Sequence, residues 1–259
     1  MILLEQFHPL KKVEGMMSDM KRQIDFYSNR NHFINDAIDR IVVEIHLKKQ
    51  KVGYKKIMIS GCEPGVGTTT IAINLAISMA ESGWKTILID GDLRKATKYK
   101  RLNDKLEIGL SDFLSEESLY PEAVYDTNHK NLFYIPSGGK ITNPVSLLCS
   151  DKVDELLEQL CKNYDYVVWD MPSITTSVDP NVIASKMDGV ILVSEYEKTD
   201  ISSIKESRTI LNKSGGNIVG IILNKIQTEE YGKIKKNFDY YKNHKYINKH
   251  SKLKAEMTM

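Results

Sequence analysis

Three stretches of the chain carry side chains of the right type and spacing for phosphate chemistry. In the first, apolar Ile57, Met58 and Ile59 lead into GCEPGVGTTT over residues 61–70. A turn holding Pro64, Gly65, Val66 and Gly67 is followed by Thr68, Thr69 and Thr70 at the start of a helical pattern. A strand, a glycine turn and a helix N-terminus together gather backbone N–H groups and the positive end of the helix dipole on an anion. The usual loop of this kind ends Gly-Lys-Ser/Thr; here Thr68 stands in the lysine position. The second stretch, TILIDGDLR over residues 86–94, delivers Asp90 and Asp92 at the end of an apolar run, and the third, YVVWD, delivers Asp170. A strand-end aspartate alone is commonly a turn or cap residue. Several in this order beside a phosphate loop point to a magnesium–nucleotide site. Mg²⁺ takes one or two carboxylates together with phosphate oxygens and water. The expected metal ligands are therefore Thr69, Asp90 and Asp170, and one of Asp90 and Asp92 is placed to accept a proton from an attacking hydroxyl.

The elements that must position these groups are legible in the hydrophobic pattern. Short, continuous apolar runs at residues 57–59, 86–90, 132–135, 166–170, 189–193 and 218–223 read as strands buried on both faces. Helical spacing appears at residues 35–48 (Ile38, Ile41, Val42, Ile45), 71–82, 153–161 and 202–211, with Gly83 closing the second in C-cap fashion. Strands alternating with helices predict an α/β fold whose mostly parallel sheet is covered on both faces. In such a sheet, ligands bind at the carboxyl ends of the strands. The division expected is a leader over residues 1–34, one nucleotide-binding domain over 35–230, and a polar, lysine-rich tail over 231–259 with Tyr231, Tyr240, Tyr241 and Tyr246.

Bulk properties narrow the classes. With 259 residues, 41% hydrophobic and 27% charged, the chain has an ordinary globular composition, and its net charge of +2 gives no reason to expect nucleic acid as a partner. Cys62, Cys149 and Cys161 are odd in number and lack metal-ligand spacing, which suits a reducing cytoplasm. No apolar run has the length of a signal peptide core or a membrane span, so a membrane role is expected only through a partner.

The order of phosphate loop, ILIDGDLR and VVWDMPS resembles the bacterial tyrosine autokinases of capsule and exopolysaccharide synthesis, relatives of the MinD and ParA ATPases. Asp90, Asp92 and Arg94 match the acidic motif that this family carries between its two nucleotide motifs, and Asp170, Met171, Pro172 and Ser173 match the next, with Ser173 in place of a second proline. Asp179 stands where the family has a further acid, and residues 108–111, 143–148 and 218–224 resemble other family segments. The resemblance implies a P-loop NTPase fold, ATP and Mg²⁺ as cofactors, and Asp90, Asp92 and Arg94 as catalytic residues. It implies that Gly65, Val66, Gly67, Thr68, Thr69 and Thr70 bind nucleotide and that Asn224 reads adenine. It further implies phosphorylation of Tyr231, Tyr240, Tyr241 and Tyr246, and a chain-length-regulator adaptor in the membrane as a separate polypeptide that recruits and activates the cytoplasmic kinase.

Two departures bear on activity. Thr68 offers one neutral hydrogen bond in place of a charge, and the loss of one preorganised donor costs a transition state roughly 10²–10³ in rate. The family's E-x-x-R-x-x-R subunit contact falls on Asp36, Asp39 and Val42, so any homo-oligomer is expected to have a weakened interface. Two readings follow: an autokinase whose missing lysine is replaced by Arg94, Lys95 or a neighbouring chain, or an impaired kinase that acts as a nucleotide-gated regulator of the adaptor. A MinD- or ParA-type positioning ATPase is the minor alternative, lacking that class's own loop lysine and a clear amphipathic C-terminal helix.

Overall fold

Eight strands among the described residues form a single sheet in the order β1-β4-β5-β3-β6-β2-β7-β8. The computed structural model describes residues 23–26, 32–95, 108–227 and 229–230. The strands are β1 (Gln23–Ile24), β2 (Lys56–Gly61), β3 (Thr86–Asp90), β4 (Tyr125–Thr127), β5 (Leu132–Ile135), β6 (Tyr166–Met171), β7 (Gly189–Glu195) and β8 (Ile218–Asn224). All neighbours pair in parallel except β4 with β5, which is antiparallel. The central strands β3 and β6 are buried along their whole length, as continuous apolar runs require when both sheet faces are covered.

The two faces have separate cores. On one, α1 (His32–Val52) packs on α2 (Thr68–Glu81), and Ile38, Val42, Ile45, Leu75 and Met79 meet Ile57, Ile59, Leu88 and Val168 of the sheet. On the other lie α3 (Leu110–Leu114), α4 (Pro144–Leu148), α5 (Asp151–Asn163), α6 (Asp179–Ala184) and α7 (Ile201–Lys213), against Met58, Ile87, Val167 and Trp169. Side chains alternate along a strand. Because Leu88 and Val168 face α1 and α2, Asp90 and Asp170 emerge on that same face, where α2 begins.

All six strands expected from the apolar runs are present, within two residues at each end. β1 and β4, of two and three residues, carry no periodic signal, and β1 falls in the stretch expected as a leader: Ile24 and Phe26 are buried in the α1–α2 core. Helix α1 is 21 residues, longer than residues 35–48. Val42 points into the core at 3% exposure and Asp39 accepts a hydrogen bond from Ser78 Oγ at 2.7 Å, so two of the three positions expected at a subunit contact are engaged within the chain. The tyrosines Tyr231, Tyr240, Tyr241 and Tyr246 lie outside the described residues.

The weight of this packing is measurable. Leu75 is fully buried between α2 and the sheet, and Leu75→Ala is expected to cost about 2–5 kcal/mol in urea denaturation. Val52→Ala, at a side chain 67% exposed, should shift stability by no more than about 0.5 kcal/mol.

Candidate functional site

The phosphate loop leaves β2 at Gly61 and enters α2 at Thr68, with Gly67 as N-cap at φ 94° and ψ 26°. A side chain at Gly67 is excluded twice: the backbone is left-handed, and a Cβ would sit 2.4 Å from Asn224 Nδ2. The loop carbonyls are held from outside. Gly61 O accepts from Ile174 N at 2.9 Å, Cys62 O from Thr175 Oγ1 at 2.7 Å, Gly65 O from Lys225 Nζ at 2.8 Å, and Val66 O from Asn224 Nδ2 at 2.8 Å. Gly67 O accepts from Ile71 N at 3.1 Å inside the helix. In a trans peptide the N–H of the next residue points opposite to the carbonyl. Tying back the carbonyls of Gly65, Val66 and Gly67 therefore aims the N–H groups of Val66, Gly67 and Thr68 the other way. The first N–H groups of α2 have no acceptor within the helix, and Gly67 brings no side chain to cap them. The result is a cradle for an anion.

Asp90 and Asp170 are register partners at the ends of adjacent parallel strands, and both are almost fully buried, as is Asp92. Asp92 N donates to Asp90 Oδ1 at 3.1 Å, and Gly91 N to Asp170 O at 2.8 Å. Gly91 lies so close over Trp169 and Met171 that a Cβ would meet both at 2.3 Å, which is why the acidic pair is separated by glycine. Burial, followed by the charges of Asp90 and Asp170, raises the Tyr134 hydroxyl well above the usual phenol range, so it stays protonated beside Asp90. Neighbouring buried carboxylates repel one another and favour a cation between them. Among the described residues no three acidic, histidine or cysteine side chains form a ready-made metal cage. Two carboxylates and the Thr69 hydroxyl, leaving positions for phosphate oxygens and water, instead match the donor set of Mg²⁺.

A cavity of about 300 Å³ opens over this edge. Its lining brings together Gly65, Gly67, Thr68, Thr69 and Thr70 with Asp92, Asp170 and Lys95, and Pro172, Ser173 and Thr176 form the far wall. Ser173, in the place of the second proline, shares a 2.5 Å hydrogen bond with Thr176 Oγ1. Four site residues expected from the sequence are not among those that line the cavity. Val66 sends its side chain into the core and Asn224 braces the loop from behind. Arg94 is clamped on Asp179, with Nε to Oδ2 at 2.7 Å and a terminal nitrogen to Oδ1 at 2.8 Å. That hydrogen bonding raises the guanidinium pKa further. Asp90, the fourth, accepts from Asp92 N and is in register with Asp170, both of which line the cavity. The hydroxyl run Ser173, Thr175, Thr176 was visible in the sequence as a polar stretch after Asp170. Tyr134 and Lys225 had no local signal, since their partners Asp90 and Asp170, and Gly65 and Glu195, lie 30 or more residues away in sequence.

Sheet and site together define a P-loop nucleotide-binding protein, and residues 54–213 match the AAA domain family. Over 215 residues the chain is 33% identical to the tyrosine-protein kinase CpsD of Streptococcus pneumoniae serotype 4 (strain ATCC BAA-334 / TIGR4), covering 82% of this chain and 92% of that one. The crystal structure of the chimerical protein CapA2B2 superposes with a TM-score of 0.72 at 26% identity, over 84% of this chain and 99% of the other. The septum site-determining protein MinD from Pyrococcus horikoshii OT3, solved with Mg-ADP, gives a TM-score of 0.55 at 25% identity over 70% and 78%. The chain belongs to the bacterial tyrosine-protein kinase family that includes CpsD, built on the fold it shares with MinD.

The clamp on Arg94 yields a test of what that residue does. Arg94→Ala strands the fully buried Asp179 carboxylate and should cost on the order of 2–3 kcal/mol in chemical denaturation, because the arginine half of the pair is partly solvated. Asp179→Asn, which leaves an arginine able to reach water, should cost less. Unchanged stability with lost nucleotide affinity in Arg94→Ala would instead make Arg94 a nucleotide ligand.

Proposed function

We propose that the chain is a protein-tyrosine kinase of capsular or exopolysaccharide biosynthesis that uses ATP and Mg²⁺ and phosphorylates tyrosines of its own C-terminal segment, Tyr231, Tyr240, Tyr241 and Tyr246. The observation that carries this reading is the meeting of the braced phosphate loop with the buried acids Asp90, Asp92 and Asp170 at one sheet edge. The kinase family of its relatives supports it further.

In this reading the N–H groups at residues 65–70 hold the β- and γ-phosphates. Thr69, Asp90 and Asp170 hold Mg²⁺, which when bound draws off charge from the phosphate oxygens. Asp92, on the cavity wall, accepts the proton of the attacking tyrosine hydroxyl. Asn224 acts first as a support of the loop, and contact with adenine would be additional. In the same reading the chain is recruited by a membrane adaptor on a separate polypeptide; among the described residues no helix is long and apolar enough to cross a membrane. A homo-oligomer, if formed, would lack the two arginines of the family's subunit contact.

A second reading is favoured by one observation. Thr68 supplies no charge where the loop usually carries lysine, which supports an impaired kinase acting as a nucleotide-gated regulator of the adaptor. Incubation of the full chain with ATP and Mg²⁺, with phosphotyrosine located by mass spectrometry, separates the two. The kinase reading expects label on Tyr240 or Tyr241, lost by at least about 10²-fold in Asp170→Asn. No label on the wild type together with ready labelling of Thr68→Lys would select the regulator.

A further inference from the structure

Thr68 leaves the anion cradle without its usual cation, and the cavity is already lined by the carboxylates of Glu63, Asp92 and Asp170. A nucleoside triphosphate brings several more negative charges into that space, and a neutral hydroxyl does not offset them. Among the described residues, one cationic side chain lines the cavity: Lys95.

The backbone leading to Lys95 is held by hydrogen bonds, while its side chain is largely exposed. Leu93 is fully buried, and its carbonyl accepts from Ile141 N at 2.9 Å. Arg94 is locked on Asp179. The Lys95 carbonyl accepts from Ser137 Oγ at 3.3 Å, and Lys95 N donates to Asp92 O at 3.3 Å, closing a turn after the acidic pair. The Lys95 side chain, 68% exposed, lies with Nζ 3.1 Å from Asp92 Oδ2. The lysine end of this pair is solvated, which weakens its hold on Asp92, and an ammonium on a phosphate oxygen makes a strong, charge-assisted hydrogen bond. Arg94, the other cation in this turn, has the tighter partner and the wrong direction.

From this we infer that Lys95 is the phosphate-neutralising cation of the site, supplied from the turn after β3 in place of the lysine that Thr68 replaces. The inference rests on the nucleotide-binding reading above. Lys95 exchanges Asp92 for a phosphate oxygen when nucleotide enters.

Equilibrium titration of the full chain with fluorescent ATP, ADP and adenosine analogues in Mg²⁺ tests it without relying on turnover. Lys95→Ala is expected to weaken ATP by roughly 10- to 100-fold, ADP by less and adenosine not at all, whereas Lys95→Arg should stay within about threefold of wild type. Restoring the loop cation should make Lys95 dispensable, so Thr68→Lys/Lys95→Ala should bind ATP at least as tightly as the wild type. Melting curves without nucleotide should be unchanged in Lys95→Ala, because the side chain is exposed. If the wild type binds ATP and Lys95→Ala binds it equally well, or loses adenosine in the same proportion, the role of Lys95 is overturned. If the wild type binds no nucleotide at all, the nucleotide-binding reading falls, and this inference falls with it.

Discussion

The phosphate loop keeps its shape because its carbonyl oxygens are occupied from behind. Ile174 and Thr175 reach in from the segment after β6, Asn224 and Lys225 from the end of β8, and together they tie back Gly61, Cys62, Gly65 and Val66. A loop of free carbonyls would turn some of them toward an incoming anion and repel it. With the carbonyls held, the peptide geometry leaves the N–H groups facing the cavity, so part of the binding cost is met before any ligand arrives. Lys225 is itself held by Glu195 at 2.8 Å, and the Glu195 carboxyl pKa is lowered first by that hydrogen bond. The sign is that of a depressed carboxylate: this brace is present above the ordinary glutamate range and is lost as pH falls through the lowered value.

The same edge gathers negative charge. Asp90 and Asp170 in register, with Asp92 folded back over Asp90, put three buried carboxylates beside a positive loop. Such a group is costly without a cation, and the chain supplies local relief unevenly. Arg94 neutralises Asp179 at the far side, and Lys95 touches Asp92 only through a solvent-exposed contact. In the proposed reading, divalent metal would sit at the carboxylates and the Lys95 ammonium at the phosphates. That placement offers a physical route around Thr68.

Much of this was legible in the chain itself. Six apolar runs gave six strands: five are buried along nearly their whole length, as continuous apolar sequence requires, whereas β8 lies at the sheet edge with Ile221 50% and Leu223 46% exposed, so its run did not mark burial on both faces. Asp90, Asp92 and Asp170 followed from where those runs end. β1 and β4 were not legible because two or three residues cannot display a period, and β1 pairs across about 100 residues with β4. Arg94 and Lys95 are adjacent and both cationic, so nothing local distinguishes the one that will find Asp179, 85 residues on, from the one that opens on the cavity. Asn224 reads from sequence as a strand-end residue or an adenine contact; that its Nδ2 also braces Val66 O beside Gly67 depends on a partner 158 residues away, which no local pattern announces.

On the proposed reading, a loop without lysine still forms a metal-dependent nucleotide site with the acids of the neighbouring strands. The most direct measurement is calorimetric titration of the wild-type chain with ATP, with Mg²⁺ present and then withdrawn by chelation. Saturable binding to one site per chain is expected, weakening at least about tenfold without Mg²⁺, since the carboxylates then face the phosphates unscreened. Absence of saturable binding, or binding indifferent to Mg²⁺, would contradict that reading.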